Sequence, residues 1–360
     1  MTDRIIFANT LRGFAAIFVL LSHFAGIFWV MNPVICDLLG VPKLQGLPDI
    51  PVVLTFIADN CILLGQFGVG IFFIVSGLVI PFSLRGVSKR NFLYRRALRI
   101  YPVYVVGFSF AMVALYFLAM HMNVPYKFPL FDIAAHFGVI TRAPLDVPRI
   151  DGISWTLEVE IYFYLVLCVL GERAMQLDLK QYMAAIAIIV ALAVLTFKTK
   201  GYLIGVQVSS GLLLILGMAY HSLLNRKISL RGFWLIKVAV SVAIPGLWLL
   251  VADRAAYTYQ WMGGYLSAIA AFYSCYLLRA HFTNNRLLSH FADISYPLYV
   301  VHALFGYALM YVLVGHGISP FGAIAAAATA SYLAALIIHL TIEKPALHWS
   351  KLKRRPAALG

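Results

Sequence analysis

The sequence predicts an all-α, polytopic membrane protein of about ten transmembrane helices with both termini in the cytoplasm. Three observations predict it. Hydrophobic residues make up 62 % of the chain and charged residues only 12 %, with a mean hydropathy of +0.88, a balance foreign to soluble globular domains. Apolar runs long enough to cross a bilayer recur along the sequence, while the alternating segments of about ten residues that a barrel needs are absent. The basic residues, finally, gather in alternate connections, as orientation charge does.

Taken in order, the apolar runs place spans at about 5–30, 66–83, 101–120, 154–171, 181–197, 203–222, 233–252, 261–278, 294–314 and 320–341. With the N-terminus inside, 21 of the 28 lysines and arginines fall in inner segments and 7 in outer ones. The inner set includes Arg4, the group Arg85, Lys89, Arg90, Arg95, Arg96 and Arg99, and the tail residues Lys351, Lys353, Arg354 and Arg355; the outer set includes Lys127 and Arg254. The first run is not read as a cleaved leader: it is too long, contains Arg12 and leads into Asn32-Pro33. Residues 32–65 read as a structured external loop. The short run Phe128 to Ile140, with Asp132 and His136 inside it, reads as re-entrant or interfacial rather than spanning.

A net charge of +14 raises nucleic acid as a partner, and its placement in alternate loops argues against one. The four cysteines, Cys36, Cys61, Cys168 and Cys275, show no metal-ligand spacing, so no metal is expected. Cys36 and Cys61 fall in one external loop on this reading and are within sequence reach of pairing.

The first span carries the most informative stretch, Leu11 to His23. Eleven residues at 100° each return close to the start, so Arg12, Ala16, Val19 and His23 share one stripe, with Arg12 and His23 about 16 Å apart along the axis. Ionisable side chains inside a span default to function. A snorkelling arginine and a packed histidine is the bland reading of each residue alone; sharing a stripe favours a polar interior face.

Four further stretches could carry chemistry. In Arg90 to Pro102, Arg95, Arg96 and Arg99 are helical neighbours. Such a cluster suits bidentate phosphate contacts, or sets topology and touches anionic lipid, with Pro102 at the first turn of the third span. In Gly68 to Leu78, close helix packing accounts for Gly68, Gly70, Ser76 and Gly77, and a nucleophile at Ser76 has no partner visible in the sequence. In Ile153 to Tyr164, Trp155 reads as an aromatic anchor and Glu158 as an interfacial residue favoured by the positive end of the helix dipole. Glu160, two residues deeper, needs a cationic or imidazole partner from another span, and His23 has a compatible depth. In Asp293 to His302, Ser295, Tyr299 and His302 share a face that is either polar-lined or simply packed; His316 and His339 read as structural.

Together these stretches resemble the acyltransferase-3 family of membrane-bound O-acyltransferases. The resemblance rests on Arg12 and His23 with ten residues between them, Phe72 to Gly77, Arg96 and Arg99 before Tyr101-Pro102, and Trp155 with Glu160, Phe163 and Tyr164. Ile294 to His302 and Glu343-Lys344-Pro345 complete it. Two positions depart from the family: Asn9-Thr10 stand where Asp-Gly is usual, and Ile161 where a second acid is common, so the carboxylate aligns to Glu160. The extracytoplasmic hydrolase-like domain many relatives append is not seen.

The resemblance implies a membrane-embedded acyltransferase domain over 1–345 with a short basic cytoplasmic tail, 346–360, in the inner (cytoplasmic) membrane of a bacterium. It implies acyl-CoA, most often acetyl-CoA, as donor substrate, no bound cofactor, and a hydroxyl of a cell-surface glycan or glycolipid as acceptor. His23 would be the general base, oriented by Glu160. Arg12, Arg96 and Arg99 would hold the phosphates of coenzyme A, with Trp155, Tyr101, His302 and Ser76 in support. A secondary transporter is the alternative of another class, though no inverted repeat is visible. An O-acyltransferase for a lipid or small-molecule acceptor is the alternative within the class.

Overall fold

The computed structural model describes residues 6–250 and 257–352. Arg4, Arg254 and the tail residues Lys353, Arg354 and Arg355 lie outside them. The described residues form helices joined by irregular connections and contain no strand. In chain order the helices are α1 (Ile6–Val30), α2 (Asn32–Leu39), α3 (Val52–Asp59), α4 (Cys61–Leu84), α5 (Lys89–His121), α6 (Leu130–Phe137) and α7 (Ser154–Met175). There follow α8 (Leu179–Thr199), α9 (Tyr202–Leu224), α10 (Leu230–Leu250), α11 (Thr258–Leu277), α12 (Arg286–Gly315) and α13 (Pro320–Ser350). All but α2, α3, α6 and α11 contain a stretch long and apolar enough to cross a membrane, which makes nine such helices among the described residues. The chain is an integral membrane protein. Helix α11 sits where the eighth span is expected and has the length, 20 residues, while Gln260, Gly263, Gly264 and Ser267 dilute its apolarity.

The chain divides into two compact units. One gathers Met1–Val19, Ile62–Leu93 and Trp155–Ala292. In it α8, α9 and α10 pack on one another, and α8 opens with a capping box in which Asp178 and Gln181 exchange side-chain and backbone hydrogen bonds. Phe7 is fully buried, its ring edge-on to Phe272 at 5.4 Å. The tightest approach is between α4 and α9: a Cβ on Gly77 would overlap the Leu214 carbonyl oxygen, and one on Gly217 would overlap the Ile74 carbonyl oxygen. The small-residue packing expected of this stretch is what lets the two backbones touch.

The other unit gathers Leu20–Cys61, Tyr94–Ser154 and Asp293–Gly360. Tyrosine hydroxyls stitch its helices to backbone carbonyls of neighbouring segments. Tyr296 donates to the Ile100 carbonyl at 2.8 Å, Tyr299 to the Ile153 carbonyl at 3.1 Å and Tyr311 to the Pro42 carbonyl at 2.8 Å. His136, buried on α6, has Nδ1 2.7 Å from the Asp132 carbonyl and accepts the Ile150 N–H at Nε2. Those two bonds make it a structural, neutral histidine.

Several sequence expectations need correction. Residues 32–65 are not wholly loop: they contain α2, α3 and the first turn of α4. Cys61 therefore sits inside a helix, against Gly26, and Cys36 and Cys61 are free thiols. The helix that carries the third span begins well before Tyr101. Helix α5 starts at Lys89 and runs for 33 residues with Pro102 in its interior, because arginine is a good helix former and the turn can project beyond the apolar layer. Helix α6, by contrast, agrees with the expectation for its run: it is eight residues long, about 12 Å, too short to span. Glu158, read as an interfacial residue near the helix start, is buried within the fold and accepts from Gln207 Nε2 at 3.1 Å. Residues 346–352, at the start of the expected cytoplasmic tail, are helical.

Candidate active site

The deepest irregularity in α1 falls on its histidine. From His23 to Ile27 the helix makes a π turn, in which the Phe28 N–H reaches back five residues to the His23 carbonyl. Such turns recur at functional sites because they re-aim the side chains that follow. The Phe24 carbonyl, deprived of its usual donor, accepts the Trp29 indole N–H at 2.8 Å instead. Gly306 of α12 leaves the space that the Phe24 ring fills. The turn also packs against α3 and α13, so His23 is held on three sides while remaining half-buried.

Two residues of α12 meet His23. Tyr307 Oη lies 2.6 Å from His23 Nδ1. The His302 ring stands edge-to-face with His23 at a centroid distance of 4.6 Å, with Phe24 6.2 Å away on another side. His302 is buried, and its Nδ1 lies 2.9 Å from the Tyr299 carbonyl and 3.1 Å from the Leu298 carbonyl. A carbonyl only accepts, so Nδ1 carries the hydrogen and Nε2 the lone pair. That Nε2 is buried with no hydrogen-bond partner.

The arginine turn of α5 belongs to the same unit. Arg96 and Arg99 are half-buried, and the turn is fixed on two sides. Tyr101 donates to the Gly138 carbonyl at 3.1 Å, and Tyr296 holds the Ile100 carbonyl. Helix α12 thus grips the arginine turn at Tyr296 and presents His302 six residues later, about 9 Å along its axis.

The remaining sequence candidates lie in the other unit. Glu160 Oε1 accepts from Tyr164 Oη at 2.5 Å and from Ser76 Oγ at 3.4 Å. Ser76 does have an acidic neighbour, 84 positions away in the sequence. Trp155 packs on Phe73 and Trp261 with centroids 6.0 and 6.1 Å away, in an aromatic nest that includes Trp248. Arg12 is half-buried in α1.

Tyr164 is named by the sequence as part of the stretch around Glu160, and the i, i+4 spacing of the two on one helix is the signal of their hydrogen bond. Tyr307 is missed and had no signal: five residues separate it from His302, which puts the two on different helical stripes, and only the fold brings both to His23.

Among the described residues no group of three or more histidines, cysteines or carboxylates could hold a metal ion. A family model described as an acyltransferase domain matches residues 5–340, nearly the whole chain. No curated protein matches the sequence, and no solved structure does.

Proposed function

The chain belongs to the acyltransferase-3 family, and from that premise we propose a membrane-bound O-acyltransferase that moves an acyl group, acetyl in the first instance, from acyl-CoA to a hydroxyl of a cell-surface glycan or glycolipid. The observation that carries the reading is the layout along α12: an arginine turn gripped at Tyr296, and two imidazoles, His302 and His23, about 9 Å further on. A phosphate-bearing thioester has those two requirements, cations for the phosphates at one end and proton-handling groups for the reacting carbonyl at the other. A sugar hydroxyl is a poor nucleophile until its proton is removed, and imidazole is the usual group for that near neutrality.

Arg96 and Arg99 are assigned to the donor's phosphates, with Arg12 in support. Glu160, whose Oε1 is loaded by two hydroxyls, keeps the second catalytic place that the family resemblance gives it, with Trp155 packed nearby. The orientation follows from the charge bias, with the donor entering from the cytoplasm and the acceptor from outside; the bacterial inner membrane is what the family resemblance implies. Transfer is direct, without an acyl-enzyme; a covalently labelled chain recovered after incubation with labelled donor would point instead to Ser76.

The test is reconstitution in proteoliposomes with radiolabelled acetyl-CoA and a panel of sugars, glycolipids and simple lipid alcohols. Donor-dependent label on a sugar-bearing acceptor is expected. Solute uptake with no acyl transfer would replace this reading with a transporter, and label on the lipid alcohols alone would move the acceptor class. Within the same assay Arg99→Ala is expected to raise KM for acetyl-CoA about tenfold, with little change in kcat, as loss of one charge-assisted phosphate contact does.

A further inference from the structure

Hydrogen bonding around the two histidines is not symmetrical, and the asymmetry bears on which of them takes the proton. His302 has its hydrogen on Nδ1, committed to the Tyr299 and Leu298 carbonyls, and a lone pair on Nε2 that nothing satisfies. Leaving such a nitrogen buried and unpaired is unfavourable, and a hydroxyl donor brought to it relieves that cost. His23 is the reverse case. Its Nδ1 faces the Tyr307 hydroxyl at 2.6 Å, and Tyr307 is buried. If Nδ1 donated, the tyrosine's own hydrogen would need a second acceptor; if the tyrosine donates, one bond satisfies both groups. His23 then carries its hydrogen on Nε2.

We propose that the two histidines divide the chemistry, His302 Nε2 taking the proton of the attacking hydroxyl while His23 Nε2–H donates to the thioester carbonyl oxygen. The inference rests on the acyl-transfer reading above and refines it. The hydroxyl oxygen forms its bond to the carbonyl carbon as its proton passes to His302 Nε2. The negative charge that collects on the carbonyl oxygen is met by the His23 N–H. Collapse breaks the carbon–sulfur bond, and the departing thiolate of coenzyme A takes the proton back from His302.

The surroundings suit these roles. Two carbonyl oxygens at Nδ1–H orient His302 and stabilise its imidazolium, the task a carboxylate performs in a triad. The Tyr307 hydroxyl, donating to His23, offers no such support to a cation. The rings packed on His302 are those of His23, Phe24 and Tyr299.

Two measurements decide the matter. In the proteoliposome assay His302→Gln is expected to lose transfer by about 10²–10⁴-fold. His23→Gln, which keeps an N–H donor, is expected to retain measurable transfer and the acidic limb of the kcat/KM profile. Transfer by His302→Gln within tenfold of wild type would overturn the division, as would disappearance of the acidic limb in His23→Gln. Nitrogen-15 NMR of histidine-labelled protein in lipid, assigned by difference with the two variants, reads the hydrogen positions without any turnover. Hydrogen on Nδ1 of His302 and Nε2 of His23 is expected, and the opposite pair would overturn the proposal. If wild-type protein transfers no acyl group to any acceptor, the functional reading fails, and the NMR result still settles which nitrogen is the acceptor.

Discussion

Gly77→Leu is expected to prevent the chain from reaching a stable folded state, with most of the expressed protein lost to aggregation on detergent extraction. The first atom of any side chain at this position would overlap the Leu214 carbonyl oxygen and press on the Gly217 Cα. Both are backbone atoms, so no rotamer change relieves the clash and α4 must move away from α9. Overpacking of ordinary cores costs about 1–3 kcal/mol, and a collision between two backbones belongs at or above the top of that range. Size-exclusion profiles and thermal melts of extracted protein measure the effect. Gly246→Ala is the matched control: nothing lies within 4 Å of a Cβ at that position, and alanine is the better helix residue by about 0.5–1 kcal/mol. A normal profile for Gly77→Leu would mean that α4 and α9 do not meet as described.

His23→Ala is expected to leave a chain that inserts and folds yet transfers acyl groups about 10²–10³-fold more slowly, the cost of removing one donor from a developing oxyanion. Alanine continues the helix without difficulty. It does strand the buried Tyr307 hydroxyl, whose partner is His23 Nδ1, so some loss of stability accompanies the loss of rate. Tyr307→Phe separates the two effects. It removes the same hydrogen bond and keeps the imidazole, so its melting temperature is expected to fall with that of His23→Ala while its kcat stays closer to wild type. Equal kcat losses in the two variants would mean that His23 acts only through its bond to Tyr307.

These expectations draw unequally on the sequence. The apolar runs, the alternation of charge between connections and the stripe of Arg12 and His23 are all local or additive signals, readable because bilayer thickness and helical pitch act on each segment separately. The candidate residues were legible for the same reason: an arginine, a histidine or a glutamate inside a span is conspicuous wherever it sits. Boundaries were less so. Helix α5 extends twelve residues before the expected start of its span, because hydropathy reports the apolar layer and not the helix.

Partners were not legible at all. Glu158 reads as an interfacial residue near a helix start until Gln207, 49 positions later, is brought to it. Cys36 and Cys61 share an apparent loop until Cys61 is found within α4 and against Gly26. Pro102 marks the start of a helix by its usual preference and in fact lies inside one, tolerated as prolines in membrane helices are.

By itself the sequence determined that this is a bundle of membrane helices carrying an arginine turn and intramembrane histidines, since composition and helical periodicity are properties of single segments. Only the tertiary structure decided what each histidine faces. The π turn at His23, the Tyr307 hydroxyl and the two carbonyls holding His302 come from pieces of chain nearly 300 residues apart. Which ring nitrogen bears a hydrogen depends on those neighbours alone, because an imidazole is equally able to donate or accept until something packed beside it chooses.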